Sequence, residues 1–231
     1  MSSAISLEFE FQDPASAIKR KVDVEQVVIA GWTGRDEDAL QAHIDELAEM
    51  GIPGPRNIPM FYRTSAAHLT TADAIQVMGP DSSGEAECFV LSTAGQLWLW
   101  AGSDHTDRKA ETVGITLAKQ LCEKPVAPVL WSHAEVREHI DSLVLRSWIE
   151  EGGERVLYQE GTLAEMRPME ELIERYSSGE GLADHTLMFG GTLAARGGVR
   201  PSARFEFELE DPILGRRIRH AYKIEELPVN D

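Results

Sequence analysis

The chain has 231 residues, 42% hydrophobic and 26% charged, so it can bury a substantial core and is too apolar to stay unfolded. Lys plus Arg total 22 against 39 Asp plus Glu; the formal charge of −17 repels phosphate backbones and argues against a nucleic-acid partner. No run of about 18 apolar residues offers a membrane span, and the distant Cys88 and Cys122 suggest neither a disulfide framework nor a thiolate zinc site.

The first residues lack the basic and apolar stretches of a secretion signal, so an intracellular, cytoplasmic protein is expected. Ile5, Leu7, Phe9 and Phe11 alternate with polar residues, the period of a half-buried strand. Val27–Ala30 is a short β-branched run that suits a fully buried strand. Asp36 is an N-cap candidate for a helix carrying Leu40, Ile44 and Leu47, with Gly51 and Pro53 as stop signals. Segments 86–92 and 96–101 read as strands around Thr93-Ala94-Gly95. Residues 133–140 and 168–178 read as helices, the second opened by Pro168 at its first position and closed by Gly179. Phe205, Phe207 and Leu209 again alternate with glutamates. Strands dominate, so the expected fold is mainly β with peripheral helices (α+β), a mixed β-sandwich or roll. No repeat or linker divides the sequence: one domain over 1–231 is expected, with 1–25 an N-terminal strand region of unassigned role.

The densest chemistry lies in Gly84-Glu85-Ala86-Glu87. On a strand Glu85 and Glu87 share a face. A hairpin folded about Ala94-Gly95 places Asp104 opposite Glu85, so antiparallel pairing alone gathers three carboxylates into one patch. Such a cluster needs a cation or shared protons, and an all-oxygen set favours Mg²⁺ or Mn²⁺ over zinc. An E-x-E pair by itself also suits a solvated strand face. His43 and Glu46 are three apart on the 36–50 helix, neighbours on one face, where a carboxylate makes imidazole a better base; the same spacing is common on exposed helices. Lys119 ends an apolar run and reads either as a buried cation near the carboxylates or as a snorkelling surface residue. Trp98 and Trp100 share one strand face, suiting core packing or a dimer surface better than a ligand stack.

In this order the segments resemble the fumarylacetoacetate hydrolase family, in particular its small single-domain, acylpyruvase-like branch. Glu85-Ala86-Glu87 looks like the family's metal-binding Glu-x-Glu pair, and Ser103-Asp104-His105-Thr106-Asp107-Arg108 resembles its Asp-x-Thr-Ala-Arg-Asp stretch, with Asp104 as third ligand. Ala118-Lys119-Gln120 is similar to the segment carrying the family's active-site lysine. His43-Ile44-Asp45-Glu46 is similar to its His-x-x-Glu dyad. Tyr158-Gln159-Glu160-Gly161-Thr162 and Gly191-Thr192 resemble two further site loops. The likeness runs from about residue 30 to the C-terminus. There are departures: Glu111 stands where a glutamine is usual, Leu193 replaces a proline, the connection from Asp104 to Lys119 is short, and His105 offers an extra acid or base.

The resemblance implies a homodimer and a Mg²⁺- or Mn²⁺-dependent hydrolase acting on a small anionic 2-oxo acid. The expected reaction cleaves a C–C bond of an acylpyruvate-like 2,4-dioxo acid through a metal-stabilised enolate. His43, Glu46 and Lys119 are the catalytic candidates, and Arg63, Arg108, Gln159 and Thr192 the substrate-binding ones. Glu85, Glu87 and Asp104 are the metal ligands. Decarboxylation, isomerisation or dehydration of a 2-oxo acid at the same site is the alternative, and a silent binding protein on this fold a third reading.

Overall fold

Alternating side chains divide the chain into two sheets with the core between them. The computed structural model of the protein describes residues 4–13, 16–49 and 54–230, without the side chains of residues 43 and 46–49. The larger sheet is mixed and eight-stranded, in the order Ser16–Val24, Ile5–Asp13, Val129–Ser132, Gln96–Ser103, Ala86–Thr93, Thr186–Thr192, Gln26–Gly31 and Met60–Thr64. The smaller runs Glu154–Thr162, Val144–Glu151, Arg204–Asp211, Arg216–Leu227 and Ala74–Met78. Phe205, Phe207 and Leu209 are buried, as their alternation predicts. The opposite face of that sheet carries ion pairs instead, with Arg146 on Glu160, Glu208 and Glu210 and Arg155 on Glu206.

Ala86–Thr93 is the central strand of the larger sheet and is buried along almost its whole length. It turns through Ala94 and Gly95, at φ 53° and 70°, into Gln96–Ser103. Two left-handed residues are the geometry of a tight two-residue hairpin. The N-terminal hairpin supplies what covers the tryptophans: Phe9 packs edge-on against Trp100 at 4.2 Å between ring centroids, and Phe11 against Trp98 at 4.6 Å. Both indoles are core residues.

Three expectations change in detail. The 133–140 helix is one α-turn, His133–Val136, followed by a 3₁₀ segment, Arg137–Ser142, broken at His139 where the ring reaches the Asp211 carboxylate. Pro168 caps the next helix, Met169–Ser177, rather than opening it, and Ser178 at φ 55° ends it one residue before Gly179. The hairpin Val144–Glu151/Glu154–Thr162 escapes a hydrophobicity reading because an inward position is Ser147, whose hydroxyl is buried by donating to Gln159 Oε1 at 2.7 Å. Among the described residues no helix is long and apolar enough to cross a membrane.

Candidate metal centre

The hairpin register pairs Ala86 with Ser103 and Glu87 with Gly102, and it continues past the strand ends: Asp104 N–H donates to the Glu85 carbonyl at 2.9 Å. One carboxylate oxygen from each of Glu85, Glu87 and Asp104 lies within 4.8 Å of the others. Ligand oxygens sharing one hard dication at about 2.0–2.6 Å are separated by no more than about this distance. Asp104 is fully buried and Glu87 is 2% exposed. The donor set and spacing therefore fit Mg²⁺ or Mn²⁺.

Three cationic side chains press on the cluster. Lys119, on the helix Ile115–Leu121, sets its Nζ against Asp104 Oδ2 and 3.3 Å from Glu85 Oε2. Burial disfavours its charge, but Asp104, Glu85 and Glu87 more than offset that and raise its pKa. Arg108 places Nη2 3.0 Å from Glu85 Oε1 and Nη1 3.0 Å from Glu111 Oε2, while its Nε donates to Ser83 Oγ at 2.7 Å. Lys124, absent from the sequence-level candidates, is fully buried, with Nζ 3.0 Å from Asp104 Oδ1 and donating to the His105 carbonyl at 2.5 Å. Burial raises the Asp104 pKa, yet Lys119 and Lys124 outweigh it and hold that carboxyl below its usual range. Glu87 goes the other way: burial, then the neighbouring Asp104, push its pKa well up.

Glu87 is held from the adjacent strand. Gly191 N–H donates to Glu87 Oε2 at 2.9 Å, at the irregularity where Thr186–Thr192 departs from its register with Ala86–Thr93. Gly191 has φ 100°, and a Cβ there would lie 1.8 Å from Thr33 Oγ1. Replacing Gly191 with alanine is expected to cost about 2–4 kcal/mol, from backbone strain and overpacking together, and to weaken divalent binding by displacing the Glu87 donor. Denaturant melts paired with calorimetric Mn²⁺ titration read both; an alanine variant of unchanged stability defeats the assignment.

Several sequence candidates find different roles. Arg63 is exposed: strand alternation turns Tyr62 inward, while Arg63 points away to the Tyr176 hydroxyl, 3.4 Å from its Nη1. Gln159 is buried with both ends of its amide engaged: Oε1 accepts from Ala86 N–H and Ser147, and Nε2 donates to Thr192 Oγ1 and the Leu193 carbonyl. The Thr192 hydroxyl in turn donates to the Ala86 carbonyl at 2.8 Å, so its one proton is not available to an oxyanion. Gln159 and Thr192 thus brace the hairpin beside the centre. Arg108 is the counter-charge of Glu85 and Glu111, and it also lines the cavity of about 460 Å³ that adjoins Glu85. His105 points away from the cluster, with its ring nitrogens 2.9 Å from Tyr222 Oη and Ser82 Oγ. Burial, then Lys124 and Arg108, lower its pKa to about 3, so it is a neutral structural imidazole. The backbone of His43 and Glu46 belongs to the helix Glu37–Glu49, while their side chains lie outside the described residues.

A family model described as "Protein of unknown function (DUF2848)" matches residues 30–222. The chain belongs to the DUF2848 family. No curated protein matches. Among solved structures, this DUF2848 chain is similar to a 2-keto-3-deoxy-D-arabinonate dehydratase complexed with magnesium and 2,5-dioxopentanoate, at 16% identity, 90% of this chain, 76% of that one and TM-score 0.65. It is also similar to yeast ynq8, a fumarylacetoacetate hydrolase family protein (16% identity, 90% and 95% covered, TM-score 0.61), and to fumarylacetoacetate hydrolase from Exiguobacterium antarcticum (16%, 93% and 83%, TM-score 0.61). The fold is that of the fumarylacetoacetate hydrolase family.

Proposed function

We propose that this protein is a divalent-metal-dependent enzyme of small 2-oxo acids, and that it hydrolyses a C–C bond in an acylpyruvate-like 2,4-dioxo acid. The observation that carries this reading is the convergence of Glu85, Glu87 and Asp104 within 4.8 Å, with the Lys119 ammonium against two of them. A bound dication would polarise the 2-oxo acid and offset the negative charge that develops as the neighbouring bond breaks. The three carboxylates would hold it, and Lys119 supplies a second positive group for an anionic ligand otherwise repelled by a chain of charge −17. The helix Glu37–Glu49 borders the same cavity through Leu40. In the hydrolytic reading Glu46 orients His43, which removes a proton from the water that attacks the far carbonyl.

A lyase or isomerase reading is supported by one of the similar solved structures, a dehydratase complexed with magnesium and 2,5-dioxopentanoate. Elimination from a 2-oxo acid needs no activated water. His43→Ala separates the two. With Mn²⁺ present, hydrolysis predicts pyruvate release from acetylpyruvate that falls at least 100-fold in His43→Ala and disappears in Glu85→Gln. Turnover that survives His43→Ala but not Glu85→Gln selects elimination chemistry, and no saturable Mg²⁺ or Mn²⁺ binding overturns both readings.

A further inference from the structure

The cavity at the Glu85, Glu87 and Lys119 end of the centre, about 240 Å³, has a second wall of different chemistry. Trp32, Tyr62, Leu40 and Ile115 line it. The Tyr62 ring lies directly on the Gly31 backbone; a Cβ at Gly31 would stand 2.9 Å from Tyr62 Cε2. Trp32 takes φ 61°, a conformation a bulky residue adopts only when its surroundings impose it, and its indole N–H donates to Tyr62 Oη at 3.4 Å. The two aromatic rings are thus tied to each other, and the Tyr62 ring to the Gly31 backbone. Among the described lining residues Lys119 is the one cation, and Glu111 adds a further negative charge. A larger cavity, about 460 Å³, shares Glu85 but has neither Glu87 nor Lys119 in its lining.

We infer that this site takes substrates with a single carboxylate, at the 2-oxo end, and an apolar alkyl or aryl tail seated against Trp32 and Tyr62, and that it rejects substrates whose tail ends in a second carboxylate. This rests on the 2-oxo acid reading above and adds what that reading leaves open, the chemistry of the tail. An apolar tail gains by leaving water against the rings. A terminal carboxylate against the rings leaves water without a cation on that wall, the one lysine of the lining being engaged by Glu85 and Asp104. Rejection of a dicarboxylate is thus built from an unpaired charge, the usual means of excluding a near relative.

The test is calorimetric titration of the Mn²⁺-loaded protein with 2-oxo-4-phenylbutanoate, pyruvate and 2-oxoglutarate, three probes sharing the 2-oxo acid end. The aryl acid is expected to bind about tenfold tighter than pyruvate, and 2-oxoglutarate weaker than pyruvate. In Trp32→Gly, which keeps a residue at ease with positive φ, the ratio of aryl acid to pyruvate falls towards one. The wild-type ranking needs no variant. Binding of 2-oxoglutarate as tight as that of the aryl acid overturns the inference even where acetylpyruvate is cleaved. The predicted ranking without C–C cleavage refutes the hydrolase and leaves the tail assignment standing, and no binding of any probe refutes both.

Discussion

Glutamine in place of Glu87 is expected to stabilise the metal-free protein and, at the same time, to abolish divalent binding. Glu87 is buried, its pKa is raised first by burial and then by Asp104, and Gly191 supplies the hydrogen bond to its Oε2. A carboxyl whose pKa is higher in the folded state binds its proton more tightly there than in the unfolded chain. Its contribution to stability is therefore complete below the unfolded value, about 4.3, and is lost as pH rises towards the folded one. Above that unfolded value the buried Glu87 carboxyl costs on the order of 2 kcal/mol that an isosteric neutral amide avoids, more at pH 8 than at pH 5. The difference in melting between Glu87→Gln and wild type should shrink as pH falls towards 5. Added Mn²⁺ reverses the order: at a hundredfold excess over its dissociation constant it stabilises the wild type by about 2.7 kcal/mol, and the variant, short of one anionic ligand, gains little. Melting curves at pH 5 and 8, with and without Mn²⁺, give all four values. A variant less stable than wild type at pH 8 without metal, or equally stabilised by Mn²⁺, removes Glu87 from the centre.

The centre was unusually legible because its geometry is local. Antiparallel pairing about Ala94-Gly95 fixes which residues face Glu85, and the register runs unbroken from the turn to Asp104. Lys119 was readable for a related reason: a lysine closing an apolar run has few explanations, and here burial against two carboxylates is the one realised. The strands that carry clean alternation, Ile5–Asp13 and Arg204–Asp211, were legible too, and motif resemblance supplied the fold that alternation alone leaves open between sandwich and roll.

What stayed hidden depends on contacts between segments far apart in sequence. Arg63 is a substrate-binding candidate in the sequence, but the pleat decides which of two neighbours turns inward, and it selects Tyr62. Gln159 and Thr192 looked like ligand-binding polar groups, yet each one's hydrogen-bonding capacity is taken up by the strand beside it. His105 follows a metal-ligand candidate and so, by alternation, faces the other side, where Tyr222 comes from a strand more than a hundred residues away. Ser147 broke the hydrophobic pattern of its strand because Gln159, twelve residues on, satisfies it.

Lys124 is the extreme of this class, and its replacement by methionine carries the second large effect. Nothing in the sequence around Lys124 singles it out, whereas the folded chain buries the whole side chain in the short strand Lys124–Pro125. Its ammonium meets Asp104 Oδ1 at 3.0 Å and the His105 carbonyl at 2.5 Å, on the side of Asp104 away from Lys119's oxygen. Methionine keeps an unbranched stem one atom shorter but leaves a fully buried carboxylate one counter-charge short and a buried carbonyl without its donor. Removing one partner of such a pair costs about 3–5 kcal/mol, a fifth or more of the roughly 5–15 kcal/mol that holds an ordinary domain folded. Urea denaturation of metal-free Lys124→Met should show that loss. The pair is isolated by a cycle with Asp104→Asn: since each single variant strands a buried charge, the double variant should lose clearly less than the two single losses added together. Strict additivity would mean that Lys124 stabilises the protein by filling space alone, with no bearing on how Asp104 is held.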